Sequence, residues 1–399
     1  MIAVKKGVVS IFVTKVLVGF LGLLLVLLTS RYFGAEGRGD ISLFLTSITL
    51  LQIIMEFGSN SSIINLSYQY QPSQLFKSSF LWICSVGILS YAIIWTLPHF
   101  KFLYVVPIFA FFNSVYNLNN MLLMGQQKVN QRNFLNVLYP ALMVLYFYML
   151  HQFSDFGLNI YPMAFAFAMI SILVLSFWII NKFITFKDHQ FVFLKLTIKQ
   201  GFWVQLAHII QFLNYRLNFF LIAILIGQSA LGIYNNAIVL VEAIWILGHS
   251  FGQMLHMKIL NSNSESEIKK TLFKMLKLNF FGSVVLLLIL VAIPNQFWVF
   301  LFDKDFSGLN QLFPFLSLGV LTFSISNILN HYFHAKNEFK LIVNANLTGL
   351  VFGVVSAIFL IPLYQLNGAA ISWSIGFLGS MLFYLNAYFN GTKFLHKKD

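Results

Sequence analysis

The sequence predicts an all-α polytopic membrane protein: about 12 transmembrane helices in two pseudo-two-fold related six-helix bundles around a central cavity. Three observations carry the membrane class and the span count, while the pairing into two bundles around a cavity rests on the internal repeat and the resemblance given below. Only 9% of residues are charged and 59% are apolar, with 46 phenylalanines in 399 residues. A soluble domain carries about 25% charged residues, because its surface must face water. The apolar residues fall in runs of about 20, the length that crosses a hydrocarbon core. The basic residues gather in alternate loops, as they do beside a cytoplasmic leaflet.

The first run, Val8 to Leu28, lacks a short apolar stretch followed by a small-residue cleavage site, so it reads as a first span and not a leader. Runs bounded by Gly, Pro and charge then give spans near 9–29, 40–66, 79–97, 102–124, 134–151 and 160–181 in the first half. The second half gives 200–227, 231–256, 275–294, 312–334, 341–361 and 367–389. The expected organisation is an N-terminal bundle (1–181), a cytoplasmic linker (182–199), and a C-terminal bundle with a short cytoplasmic tail (200–399). A single cysteine, Cys84, excludes an intramolecular disulfide and a multi-thiolate metal site.

Orientation follows from lysine and arginine. With the N-terminus inside, the inner loops hold nineteen of the 25 basic residues and the outer loops hold four, Arg31, Arg38, Lys101 and Lys304. Lys15 and Arg216 lie within spans. This asymmetry places both termini in the cytoplasm. The net charge of +13 is then explained by anchoring to the bilayer, and nucleic acid is not an expected partner.

A shift of 193 residues lays Gly34 on Gly227 and Gly39 on Gly232, so that "FGAEGRGDISLF" falls on "IGQSALGIYNNA". A shift of 210 lays Ser114, Asn117, Asn120 and Asn136 on Ser324, Asn327, Asn330 and Asn346. Both point to a parallel repeat of six spans, the arrangement of transporters that rock two bundles around a central site.

"SRYFGAEGRGDISLFLTSITLLQIIMEFGSNSSI", "YRLNFFLIAILIGQSALGIYNNAIVLVEAIWIL" and the stretch from "LFDKDFSGLNQLFPF" to "LIPLYQLNGAAISW" carry a resemblance over nearly the whole chain. Their order and spacing resemble the Wzx-type lipid-linked oligosaccharide flippases, polysaccharide exporters of the multidrug/oligosaccharidyl-lipid/polysaccharide superfamily. The C-terminal turn Ile361, Pro362, Tyr364, Gly368, Ala369, Ala370 is part of it. The resemblance implies a multi-pass protein of the bacterial cytoplasmic (inner) membrane. It would move polyprenyl-diphosphate-linked oligosaccharide outward by alternating access, for O-antigen (lipopolysaccharide) or capsule biosynthesis. It implies no cofactor, with transport drawing on an H+ or Na+ gradient. The partners it suggests are the lipid-linked substrate, the bilayer, a polysaccharide polymerase and a chain-length regulator. These proteins often carry Asp two residues after the second-half Arg; here that residue is Asn218.

An ionisable residue inside a membrane is a functional candidate by default. Lys15 and Glu56 lie about 20 residues on either side of the first glycine turn, and Arg216 and Glu242 about 13 on either side of the second, so at 1.5 Å per residue each hairpin holds a cation and a carboxylate at similar depth. They are either ion pairs locking adjacent helices or cavity groups that meet an anionic substrate. Arg216 lies about 16 Å from the outer end of its helix, too deep to snorkel, and its planar fork suits phosphate oxygens. Lys15 lies about 9 Å from the inner surface, within reach of snorkelling. Asn60 and Tyr215 join them as candidate sugar or diphosphate contacts in a polar cavity. Arg31 and Arg38 are candidates for headgroup contact at the outer face.

His249, His256, His331 and His334 do not show the spacing of a metal set. There is no phosphate-binding glycine loop and no catalytic constellation, so no enzyme is expected. Two alternatives stay open: a drug/cation antiporter of the same superfamily, which wants acidic cavity residues, and a membrane polysaccharide polymerase or glycosyltransferase, which wants larger outer loops than these.

Overall fold

The computed structural model describes residues 2–57, 63–64, 66–67, 69–94, 101–182, 194–262 and 264–395. Regular structure among them is entirely helical. The chain begins with α1 (Ile2–Met55), 54 residues long and so about 80 Å if straight, far beyond the roughly 30 Å of a hydrocarbon core. It is broken at Gly34, whose φ of 65° and ψ of −169° suit only a residue without a Cβ. Then come α2 (Pro72–Ile94), α3 (Val106–Gly125), α4 (Val129–Phe153) and α5 (Ile160–Asn181). The second half holds α6 (Leu194–Leu225), α7 (Gln228–Asn261), α8 (Glu265–Ala292), a short α9 (Asn295–Phe302), α10 (Phe313–Ala335) and α11 (Phe339–Leu395). α11 is kinked beyond Pro362, at Gln365, with φ 51° and ψ −127°.

Nine helices among the described residues are long and apolar enough to cross a membrane. Counting kinked α1 and α11 twice, and adding Val106–Gly125, recovers the twelve expected spans. Boundaries differ in places. Helix α1 ends at Met55, and residues 58–62 and 65 of the expected second span lie outside the described residues. The inner stretch 257–274 is mostly helix, because α7 runs on to Asn261 and α8 starts at Glu265. Ser264 caps α8 by accepting a hydrogen bond from the Glu267 amide. The outer stretch 295–311 folds into α9 and two 3-10 turns.

Two compact units result: Met1–Thr29 with Leu43–Gln205, and Ser30–Ser42 with Leu206–Asp399. Of the expected linker 182–199, residues 183–193 lie outside the described residues. In the first unit α3 packs on α2 and α5, and α4 on α5. Phe44 meets Phe102, Phe109 and Phe165 edge-on at 5.6, 5.6 and 6.2 Å. Asn119 donates to the Ser176 hydroxyl at 2.9 Å, a buried bond from α3 to α5. Lipid tails are as apolar as these side chains, so close packing and interhelical hydrogen bonds hold such helices together.

In the second unit α10 packs against α7, α8 and α11. Asn279 of α8 donates to the Ser324 carbonyl of α10 at 2.8 Å, and the Gly319 amide donates to Ser374 of α11 at 3.0 Å. The segment 30–42 belongs to this unit, and its turn packs on the second glycine turn. A Cβ on Gly39 would strike the carbonyl of Gln228, and one on Gly232 would strike the carbonyl of Ala35.

Candidate functional site

α6 and α7 form a hairpin joined at Gly227, which turns the chain with φ 123°. Across it Arg216 Nη2 donates to Glu242 Oε2 at 2.8 Å, and the two side chains are 22% and 21% exposed. Arg216 also lies over the Phe219 ring, 4.9 Å from its centre, one turn along α6. The contact is made by one nitrogen and one oxygen only. Among the described residues Arg216 Nη1 and Glu242 Oε1 are buried without a hydrogen-bond partner. The pair therefore keeps one donor and one acceptor open, where a bidentate arrangement would have closed both.

Tyr215 precedes Arg216 and packs on Trp245, Phe323 and Phe377, with centroids 5.4–5.5 Å away. Its hydroxyl accepts from Gln211 at 2.6 Å. Asn218, two residues after Arg216, is buried and donates to the Ala369 carbonyl at 2.9 Å and to Ser372 at 3.1 Å. The amide thus ties α6 to α11 just past its kink.

The first hairpin behaves differently. Glu56 is 4% exposed and accepts from Gln52 at 2.7 Å, with Asn117 also within hydrogen-bonding reach. Gln52 sits one helical turn before it, so the carboxylate finds a donor on its own helix. Lys15 is exposed, and the charge that acts on it is Arg132. Among the described residues Lys15 and Glu56 form no ion pair. Asn60 lies outside the described residues.

Arg132 is the residue that the sequence reading missed. Its place among the inner-loop cations hid that it stands on α4, where no break separates it from the span. There its charge acts on Lys15 and interacts with Tyr116, whose hydroxyl donates to Asn136 at 3.3 Å. The Arg132 Nε is buried without a hydrogen-bond partner.

At the first glycine turn, Arg31 is exposed and donates to the Leu301 and Phe300 carbonyls at 2.9 and 2.6 Å, the terminal acceptors of α9. A cation there also complements the helix dipole. Arg38 is 4% exposed and donates to Asn236 at 3.1 Å, and Asn236 in turn donates to Ser30 at 2.8 Å. Asp305 accepts from the Ala35 amide at 3.2 Å.

The family model described as "Polysaccharide biosynthesis protein" matches residues 4–255. No curated protein matches the chain. Among solved structures, an inward-facing multidrug resistance MATE family transporter of the MOP superfamily is 14% identical, with a TM-score of 0.76 over 95% of this chain and 94% of that one. The lipid II flippase MurJ in an inward closed conformation is also 14% identical, with a TM-score of 0.76 over 96% and 87%. An outward-facing MATE family transporter is 16% identical, with a TM-score of 0.71 over 99% and 97%. At such identities the likeness is one of fold.

Proposed function

Because this chain belongs to the polysaccharide biosynthesis protein family, we propose that it is a flippase for polyprenyl-diphosphate-linked oligosaccharide in the bacterial cytoplasmic membrane, with both termini cytoplasmic. The observation that carries this is the half-buried Arg216–Glu242 pair with a spare guanidinium nitrogen. A diphosphate in a low-dielectric path needs a fixed cation, and an open N–H in a planar fork is the donor it would take. Lys15, on which the Arg132 charge acts, supplies a second cationic position in the first unit. Two like charges brought together favour an anion between them. The oligosaccharide would serve O-antigen or capsule assembly, and its release would hand it to a polysaccharide polymerase under a chain-length regulator. The reaction breaks no bond, so binding and conformational change suffice.

The drug/cation antiporter is the weaker reading. It asks for carboxylates open to a cation, whereas Glu56 is held by Gln52 and Glu242 by Arg216.

Deletion followed by lipid extraction tests the proposal. Lipid-linked oligosaccharide should accumulate on the cytoplasmic side, and its sugars would name the substrate. Unchanged lipid-linked intermediates together with lost drug resistance would overturn it in favour of the antiporter.

A further inference from the structure

Four histidines gather in the second unit, apart from the Arg216–Glu242 pair. His249 and His256 stand on α7, His331 and His334 on α10. The rings of His249 and His331 are 6.4 Å apart, those of His331 and His256 6.4 Å, and those of His256 and His334 5.3 Å. His256 Nδ1 lies 3.4 Å from the His331 carbonyl, and His249 Nδ1 lies 3.2 Å from the Asn327 amide nitrogen. The rings thus form a chain that crosses between two helices three times.

The packing gives His331 a definite seat. Its ring rests against Gly252 so closely that a Cβ there would collide with it. One turn earlier Gly248 leaves room for Asn327 and Asn279. These glycines bring α7 and α10 close enough for the rings to meet. We propose that this chain of four histidines is a proton-binding relay that couples transport to an H+ gradient. The coupling, though not the proton binding, rests on the transport function proposed above.

Each imidazole accepts a proton on one ring nitrogen and releases one from the other, so a proton entering at His334 leaves at His249 without any bond to carbon changing. Gaps of this size are spanned by a ring flip or one bridging water. His334 lies in the last turn of α10, at the cytoplasmic end in the proposed orientation, and is exposed. His249, also exposed, lies seven residues beyond Glu242 on the same helix, about 10 Å of rise. A charge on the relay therefore acts on the helix that holds the ion pair.

The surrounding groups fit shared protonation. From α6, His208 lies close enough for its charge to act on His334. Two carboxylates at this end are engaged by lysines, Glu265 of α8 by Lys336 at 3.0 Å and Glu267 by Lys258 at 2.7 Å, and a third, the exposed Glu338, stands four residues past His334. From α11, Tyr388 packs on Tyr332 and Tyr384 on Phe333. Cations and neighbouring imidazoles around the cluster disfavour a proton on every ring at once.

The test uses the full-length protein. In detergent, 15N NMR of histidine-labelled protein should show several ring signals moving together over about pH 5 to 8. In vesicles holding a pH-sensitive dye, proton uptake under an imposed pH gradient should rise when polyprenyl-diphosphate-linked oligosaccharide extracted from the deletion strain is supplied, and His331→Gln and His256→Gln should each cut that rise about tenfold. Histidines that titrate independently, or a rise equal in wild type and both variants, would overturn the inference. So would tight binding of Zn2+ alone, which would make the cluster a metal site. The NMR titration needs no variant, so a misfolded mutant leaves the idea exposed to refutation. It also needs no substrate: a clean relay in a protein that leaves lipid-linked oligosaccharide in place would sink the flippase and spare the proton site.

Discussion

Gly39 and Gly232 occupy the same place in two reciprocal contacts. Gly39 lies against the Gln228 carbonyl and Gly232 against the Ala35 carbonyl, and one shift of 193 residues carries the first contact onto the second. The two glycine turns are packed face to face about a local pseudo-two-fold. Backbone meets backbone there, with no flexible side chain to give way.

Replacing either glycine with alanine forces those backbones apart. Overpacking of this kind costs about 1–3 kcal/mol. The melting temperature in detergent should fall for Gly39→Ala and Gly232→Ala alike. Two variants that melt like the parent would show that the turns are looser than described.

The Arg216–Glu242 pair lends itself to a double-mutant cycle. Glu242→Gln strands a half-buried guanidinium and should cost about 1–3 kcal/mol, part of which Arg216→Gln/Glu242→Gln recovers. Arg216→Ala should abolish export while the protein still inserts, and Arg216→Lys should restore some of it. A fully active Arg216→Ala protein would leave the pair a purely structural lock.

Asn218 donates to the Ala369 carbonyl and to Ser372. Asn218→Asp turns that donor into an acceptor facing a carbonyl, at a cost of about 1–3 kcal/mol near neutral pH. The sign with pH is opposite to that of a salt-bridged acid. The buried carboxyl prefers its protonated form, which donates again, so the lost stability should return as the pH falls. Thermal melts at two pH values read this directly, and an equal deficit at both would contradict the geometry.

Gln365 holds φ 51° and ψ −127° at the kink of α11, a conformation that costs a residue with a Cβ about 1–3 kcal/mol. Gln365→Gly should raise the melting temperature, and Gln365→Val should lower it. Pro362, three residues earlier, has no amide hydrogen to continue the helix, so the kink should survive the glycine. A glycine variant no more stable than the parent would mean that nothing at Gln365 is strained.

Much of the architecture was legible in the sequence because it depends on local quantities. Hydropathy and run length fix where the chain crosses a membrane, and the twelve spans follow. Glycine spacing marked Gly34 and Gly227, and both prove to hold positive φ at the turns. Caps were less visible: Ser264 starts α8 ten residues before the apolar run it introduces.

Depth along a helix was also readable, since each residue rises 1.5 Å. Azimuth was not. By depth alone Lys15 matched Glu56 as well as Arg216 matched Glu242, yet only the second pair meets. Each residue also turns the helix by about 100°, so small errors in span ends and a kink such as that at Gly34 redirect a side chain to another face. The same blindness hid the Arg132 charge that acts on Lys15, the burial of Arg38 against Asn236, and the seating of His331 on Gly252. Composition and periodicity determined that this chain is a bundle of membrane helices with a repeated turn. Which polar groups face each other across those helices was decided by packing between residues up to 270 positions apart, and no local pattern encodes it.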